Sequence, residues 1–143
     1  MTSADLPSVP KTFSLDEANN MLPLVRRIVE DLVRDHERWQ DKVSAFELAT
    51  VGSKADHPDA VAELLQKDAL RLAADIEGYV KELTQLGVEC KGLDAGLVDF
   101  LAEMNGRAIY YCWKLGEPSV QYWHGVNAGF AGRHPLQPAL AES

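Results

Sequence analysis

From Leu15 onward the apolar positions recur at alternating spacings of three and four: Leu15, Ala18, Leu22, Val25, Val29, Leu32, His36, Trp39, Val43 and Phe46. That is the seam of a helix packed lengthwise against another helix. Ser14 followed by Glu17 supplies a capping box at its start. Away from the seam lie Arg26, Arg27, Glu30, Asp31, Arg34, Asp35, Glu37 and Arg38, which read as a solvated face with opposite charges at i,i+4. Pro23 falls inside the pattern. It has no N–H to donate and crowds the carbonyl of Asn19, which predicts a kink or restart. The expected result is a short segment over 15–20 and a long helix over 22–49, with Asn19 and Asn20 satisfying the groups freed at the break.

A second seam runs through Ala62, Leu65, Ala69, Leu72, Ile76, Tyr79, Leu83 and Leu86, and Gly87 follows where helices commonly close. The polar cluster over 52–58 connects the two, with Asp56 or His57 as the expected cap and Pro58 in the first turn. Together the seams predict an antiparallel helical hairpin, with helices of about 28 residues and about 42 Å each.

Past Gly87 the period changes to two. Strands are predicted over 88–91, 97–104, 107–114 and 120–126, with a turn over 93–96 and an Asn105-Gly106 hairpin turn. That two-residue turn sets the register. Val98, Phe100, Ala102 and Met104 face Trp113, Tyr111, Ile109 and Arg107, and this set should lie on the helices. The other face carries Leu97, Asp99, Leu101 and Glu103 opposite Lys114, Cys112, Tyr110 and Ala108. Taking 115–118 as the next loop pairs Cys112 with Gln121 and Tyr110 with Trp123. Tyr122 then joins Tyr111 and Trp113 in the core, and His124 points away from Cys112. The Gly- and Pro-rich segment over 127–143 reads as irregular structure laid against the domain.

The expected fold is therefore α+β: a helical hairpin on a small three- to four-stranded antiparallel sheet, with a C-terminal tail over an edge or face. At 143 residues the chain fits a single domain, with 1–11 as a disordered lead-in and 137–143 as a flexible end. Strands of roughly 17–20 Å cannot cover such helices. An apolar flank of Met21, Leu24, Ile28, Val33, Val61 and Leu64 should be left in water, which predicts a homodimer.

A net charge of −8 and a pI near 4.9, with basic residues interleaved among acids, argue against nucleic acid as a partner. No run approaches the roughly 18 apolar residues of a membrane span. Cys90 and Cys112 form no CxxC, so reduced thiols and a cytoplasmic location are expected.

Five of the seven Tyr and Trp residues fall between Tyr110 and Trp123, together with Cys112. The candidate ligand-binding residues are Asp99, Arg107, Cys112, Trp123, His124 and Arg133. Cys112, His124 and Asp99 are the types of a thiol nucleophile, its base and an orienting carboxylate, although strand parity sets Cys112 and His124 apart. Asp99, Glu117 and His124 are metal-ligand types. No HxxxH, HxH or ExxH spacing joins them, so no metal is assigned and the cofactor is left open. Arg107 and Arg133, near the 129–132 glycine loop, suit a small anion. Two functions follow: a self-associating module that binds a small ligand, with anions among the candidates, or a protein partner, or a small enzyme. The enzyme would use Asp99, His124 and either Cys112 or a metal, between the sheet and the tail.

The segments FSLDEANNMLPLV (13–25), GLVDF (96–100), GR (106–107), CWKLGEP (112–118), YWH (122–124) and AGFAGRHPL (128–136) resemble the bacterial domain-of-unknown-function family numbered 2203. The likeness runs over roughly 12–136. It departs at Leu101, where members often carry Pro after the Asp-Phe pair; an ordinary strand residue there leaves the reading intact. The resemblance implies a small prokaryotic protein of unassigned activity and supplies no catalytic residue.

Overall fold

The computed structural model of the chain describes residues 11–51 and 59–136. Residues 1–10 of the expected lead-in over 1–11, the linker over 52–58 and the C-terminal end over 137–143 lie outside the described residues. Helix α1 (Leu15–Val51) opens on the capping box: Glu17 N–H donates to Ser14 Oγ at 3.1 Å and Ser14 N–H to Glu17 Oε1 at 2.8 Å. The helix then runs through Pro23 for 37 residues without the expected break. Pro23 is exposed, while Leu22 and Val25 beside it are buried. An interior Pro costs about 3 kcal/mol. Burying each large aliphatic chain returns about 1.5–3 kcal/mol, so the packed face wins. Asn19 does not serve the helix; its Oδ1 accepts the distant Val120 N–H at 2.8 Å.

Helix α2 (Ala60–Gln85) is capped by Asp59, whose carboxylate accepts the Val61 N–H at 2.9 Å, rather than by Asp56 or His57. The helices thus have 37 and 26 residues instead of matched lengths. Buried α1 residues are Ala18, Leu22, Val25, Ile28, Val29, Leu32 and Asp35, with none beyond. A straight helix drifts against a strict seven-residue repeat, so the contact line passes to Asp35 where the pattern placed His36. Asp35 accepts from Tyr79 Oη at 3.0 Å, Arg34 Nε at 3.2 Å and Arg38 Nη1 at 3.5 Å, which corrects its reading as a solvated charge. His36 is half-buried, 3.1 Å from Asp94 and stacked on Trp39. Of the expected apolar flank, Leu24, Val61 and Leu64 are exposed, Met21 and Val33 half-buried, and Ile28 buried.

The sheet has five antiparallel strands in sequential order: β1 (Val88–Gly92), β2 (Leu97–Met104), β3 (Arg107–Lys114), β4 (Tyr122–Gly125) and β5 (His134–Pro135). The tail therefore adds a strand that the sequence reading missed. Asn105 and Gly106 both take positive φ, 53° and 79°, the mirror-type turn whose twist matches the strands. The β2–β3 register is the expected one, with Val98 opposite Trp113, Asp99 opposite Cys112 and Phe100 opposite Tyr111. One face packs on the hairpin: Val98, Phe100 and Trp113 are buried with Phe13, Leu22, Val25, Val29 and Leu83.

Gly96 turns the chain into β2 at φ +72°, and a Cβ there would come 2.7 Å from Val29 Cγ1 and 2.9 Å from Leu115 Cβ. Gly96→Ala is expected to cost about 2–4 kcal/mol, from overpacking and a left-handed Ala together. Urea unfolding measures the loss; an unchanged midpoint would show that the contact does not constrain the turn.

Candidate functional site

Strand β4 decides what the outer face of the sheet holds. It pairs Cys112 with Tyr122 and Tyr110 with His124, one residue away from the expected register. The cause is the loop before it. Glu117 N–H donates to Lys114 O at 3.0 Å, and Glu117 Oε1 accepts the Lys114 N–H at 2.8 Å. Trp113 Nε1 donates to Glu117 O at 2.9 Å. Val120 is buried in the core with its N–H bonded to Asn19, so it belongs to the loop and the strand starts only at Tyr122. A one-residue slip exchanges the faces of every side chain. His124 therefore joins Asp99 and Cys112, correcting its expected separation from them. Tyr122 leaves the core for the outer face. Trp123, a predicted outer-face binder, lies on the inner side opposite Tyr111 and against His134, ring centroids 4.8 Å apart.

Three polar groups are buried together as a result: Asp99 is 1% exposed, His124 2% and Cys112 0%. His124 Nε2 lies 3.0 Å from both carboxylate oxygens of Asp99, and Nδ1 lies 2.7 Å from the Gly125 carbonyl. A carbonyl can only accept, so Nδ1 carries a proton. Nε2 and Asp99 then share a further proton between them, because a lone pair facing a bare carboxylate would be repelled. Burial raises the Asp99 carboxyl above its ordinary range, while the hydrogen bond and charge of His124 pull it back. Burial, reinforced by Asp99, pushes the Cys112 thiol up to about 12. A thiol so placed is protonated at neutral pH and is a poor nucleophile. Both ring nitrogens of His124 are already engaged, so the trio does not form a relay from carboxylate through imidazole to thiol. It is a compact set of nitrogen, oxygen and sulfur donors, all within 4.8 Å of one another.

The tail roofs this face. The Arg133 guanidinium lies 3.9 Å from the Tyr122 ring centroid and 4.7 Å from that of Phe130. Its Nη2 donates to Glu117 Oε1 at 2.7 Å and reaches the Cys112 carbonyl at 3.4 Å. Arg133 thus clamps the tail to the Glu117 loop. Glu117, considered as a metal ligand, is held in that clamp and by the Lys114 N–H. Arg107 is exposed at the hairpin tip and lines a different cleft with Ile109, Gly125 and Asn127.

Asp99 and His124 line a cleft of about 340 Å³ together with Lys91, Leu97, Tyr110, Val126, Gly129 and Phe130. Across Phe130 a second cleft of about 280 Å³ is lined by Leu93, Leu97 and Lys114. Lys91 Nζ sits 3.1 Å from Glu89 and 5.3 Å from the Tyr110 ring centroid, and that carboxylate holds its ammonium above the ordinary lysine range. Among these lining residues, sequence reasoning had placed Tyr110 on the outer face by parity. Lys91 and Phe130 carried no signal beyond strand alternation and a glycine-flanked position.

No curated protein and no solved structure matches the chain. Residues 11–136 match the family described as "Uncharacterized conserved protein (DUF2203)". Covering the described chain from Lys11, ahead of the capping box, to Leu136, just past β5, that match shows the protein to be a member of the DUF2203 family.

Proposed function

We propose that this protein is a self-associating binding module that holds a small acidic ligand between the outer sheet face and the tail. One observation carries the reading: a buried Asp99–His124 pair opens onto a cleft of about 340 Å³. That size falls at the low end of ligand pockets, about 300–1,000 Å³. Phe130 and Leu97 offer an apolar body to the ligand, and Lys91 and Lys114 flank Phe130 with positive charge. The small-enzyme reading draws on the same Asp99–His124 contact, but the engaged imidazole and the protonated thiol favour binding over thiol catalysis. Two unpaired cysteines fit a reducing compartment, and a cytoplasmic location is part of the proposal. No described helix is long and apolar enough to cross a membrane.

Binding of the fluorescent aromatic sulfonate 8-anilinonaphthalene-1-sulfonate tests the cleft. Lys91→Ala and Phe130→Ala are each expected to weaken it about tenfold, the equivalent of roughly 1.4 kcal/mol. Affinity unchanged in both variants would overturn the assignment.

Self-association rests on the far end of the hairpin. Leu48 and Val51 are 78% and 85% exposed, and Val61 and Leu64 are 59% and 62% exposed. A second copy pairing hairpin to hairpin would cover them, giving a four-helix arrangement. Sedimentation is expected to find a dimer at micromolar concentration, and a monomer when Leu48→Glu and Leu64→Glu are combined. A wild-type monomer throughout that range contradicts the assembly.

A further inference from the structure

We propose that Asp99, Cys112 and His124 form a binding site for a divalent transition-metal ion of the zinc type, with a fourth coordination position open to the cleft. The three residues come from three neighbouring strands, β2, β3 and β4, which is why no local sequence spacing announces them. Their donor atoms, a carboxylate oxygen, a thiol sulfur and an imidazole nitrogen, are the mixed set that suits zinc rather than magnesium or calcium.

The geometry is close to what the ion needs. Zinc bonds of about 2.0–2.3 Å set tetrahedral ligand atoms about 3.3–3.7 Å apart. Here Nε2 and the carboxylate oxygens are 3.0 Å apart, and all three donors lie within 4.8 Å. Small side-chain rotations about an ion close that difference. The His124 ring is also held as metal-binding imidazoles are. Its Nδ1–H donates to the Gly125 carbonyl at 2.7 Å, which leaves Nε2 as the ligating atom. The site is walled on the far side by the clamp of Arg133 on Glu117, while Asp99 and His124 reach the cleft. Three protein ligands and an accessible fourth position is the arrangement of a site that receives a ligand or water rather than one closed for structure alone. As the cation enters, the thiol proton and the proton shared by Asp99 and His124 leave to solvent.

The open fourth position rests on the cleft reading; the metal site itself needs only the three side chains. The full chain, dialysed against chelator, is titrated with Co²⁺ and then Zn²⁺. The expected result is one equivalent of cobalt, with the visible bands of a four-coordinate site and a near-ultraviolet thiolate-to-cobalt band, displaced by zinc. Cys112→Ser is expected to abolish the near-ultraviolet band and weaken binding by at least tenfold, since even outer-shell changes weaken metal sites about 10–100-fold. X-ray absorption of the zinc-loaded wild type checks the site independently of any variant: a sulfur neighbour at about 2.3 Å supports it. No cobalt binding at micromolar concentration, a thiolate band that survives Cys112→Ser, or a zinc shell without sulfur would each overturn it. Lys91→Ala and Phe130→Ala leave the cobalt spectrum unchanged on this account. Wild-type protein that takes up cobalt but binds no sulfonate, or that binds the sulfonate but no cobalt, therefore tells failure of the cleft from failure of the metal site.

Discussion

His124→Ala is expected to lower the stability of the chelator-treated protein by about 3–5 kcal/mol at neutral pH, the cost of leaving a buried charge without its partner. The Asp99 carboxylate is 1% exposed, and His124 is the first of the groups that ease its ionisation. Without the imidazole, the folded-state pKa of Asp99 rises further above the unfolded value of about 3.9. A group raised in this way contributes stability below its unfolded pKa and loses it as pH climbs through the folded value. The deficit of the variant should therefore be small near pH 4 and grow toward neutrality. Asp99→Asn is the contrasting case. Its amide can donate to the neutral Nε2, so about 1 kcal/mol or less should be lost, with little dependence on pH. Urea unfolding across pH measures both; equal losses in the two variants would mean that the buried charge is not what matters.

Trp113→Ala is expected to cost about 3–5 kcal/mol, in the range for truncating a large core aromatic. The indole is fully buried against the hairpin, and Arg26 approaches its ring at 5.8 Å. Its Nε1 also holds the Glu117 carbonyl at 2.9 Å, so truncation removes a strut from the loop that sets where β4 begins. Trp113→Phe keeps most of the packing and removes the N–H, which should cost about 1–2 kcal/mol. It should also broaden the β4 amide resonances in proton–nitrogen spectra. A Phe variant as damaged as the Ala variant would assign the whole effect to the hydrogen bond.

Much of the architecture was legible because local rules and tertiary packing agree there. The Ser14–Glu17 capping box, the Asn105-Gly106 turn and the alternation over 97–114 each fix structure within a few residues of themselves. Where distant contacts decide, the pattern misleads. Pro23 signals a break that burial of Leu22 and Val25 overrides. Asp35 looks like one more surface charge until Tyr79 of α2 supplies its hydroxyl. The candidate site was half legible. Parity set Asp99 across from Cys112 correctly, but His124 depended on a loop whose length is decided by Val120 bonding to Asn19, 101 residues away. That contact has no signature in the residues next to it, and it reverses the faces of Tyr122, Trp123 and His124. The pairing of β5 with β4 was hidden for a similar reason: a two-residue strand ending in Pro carries no periodicity.

The shared placement of Asp99, Cys112 and His124 rests on the β3–β4 register, and cross-strand proton–proton contacts in solution report it. Nuclear Overhauser effects should link Tyr110 to His124 and Cys112 to Tyr122 across the two backbones. Contacts that instead link Tyr110 to Trp123 and Cys112 to Gln121 would turn His124 away from Asp99 and dissolve the site.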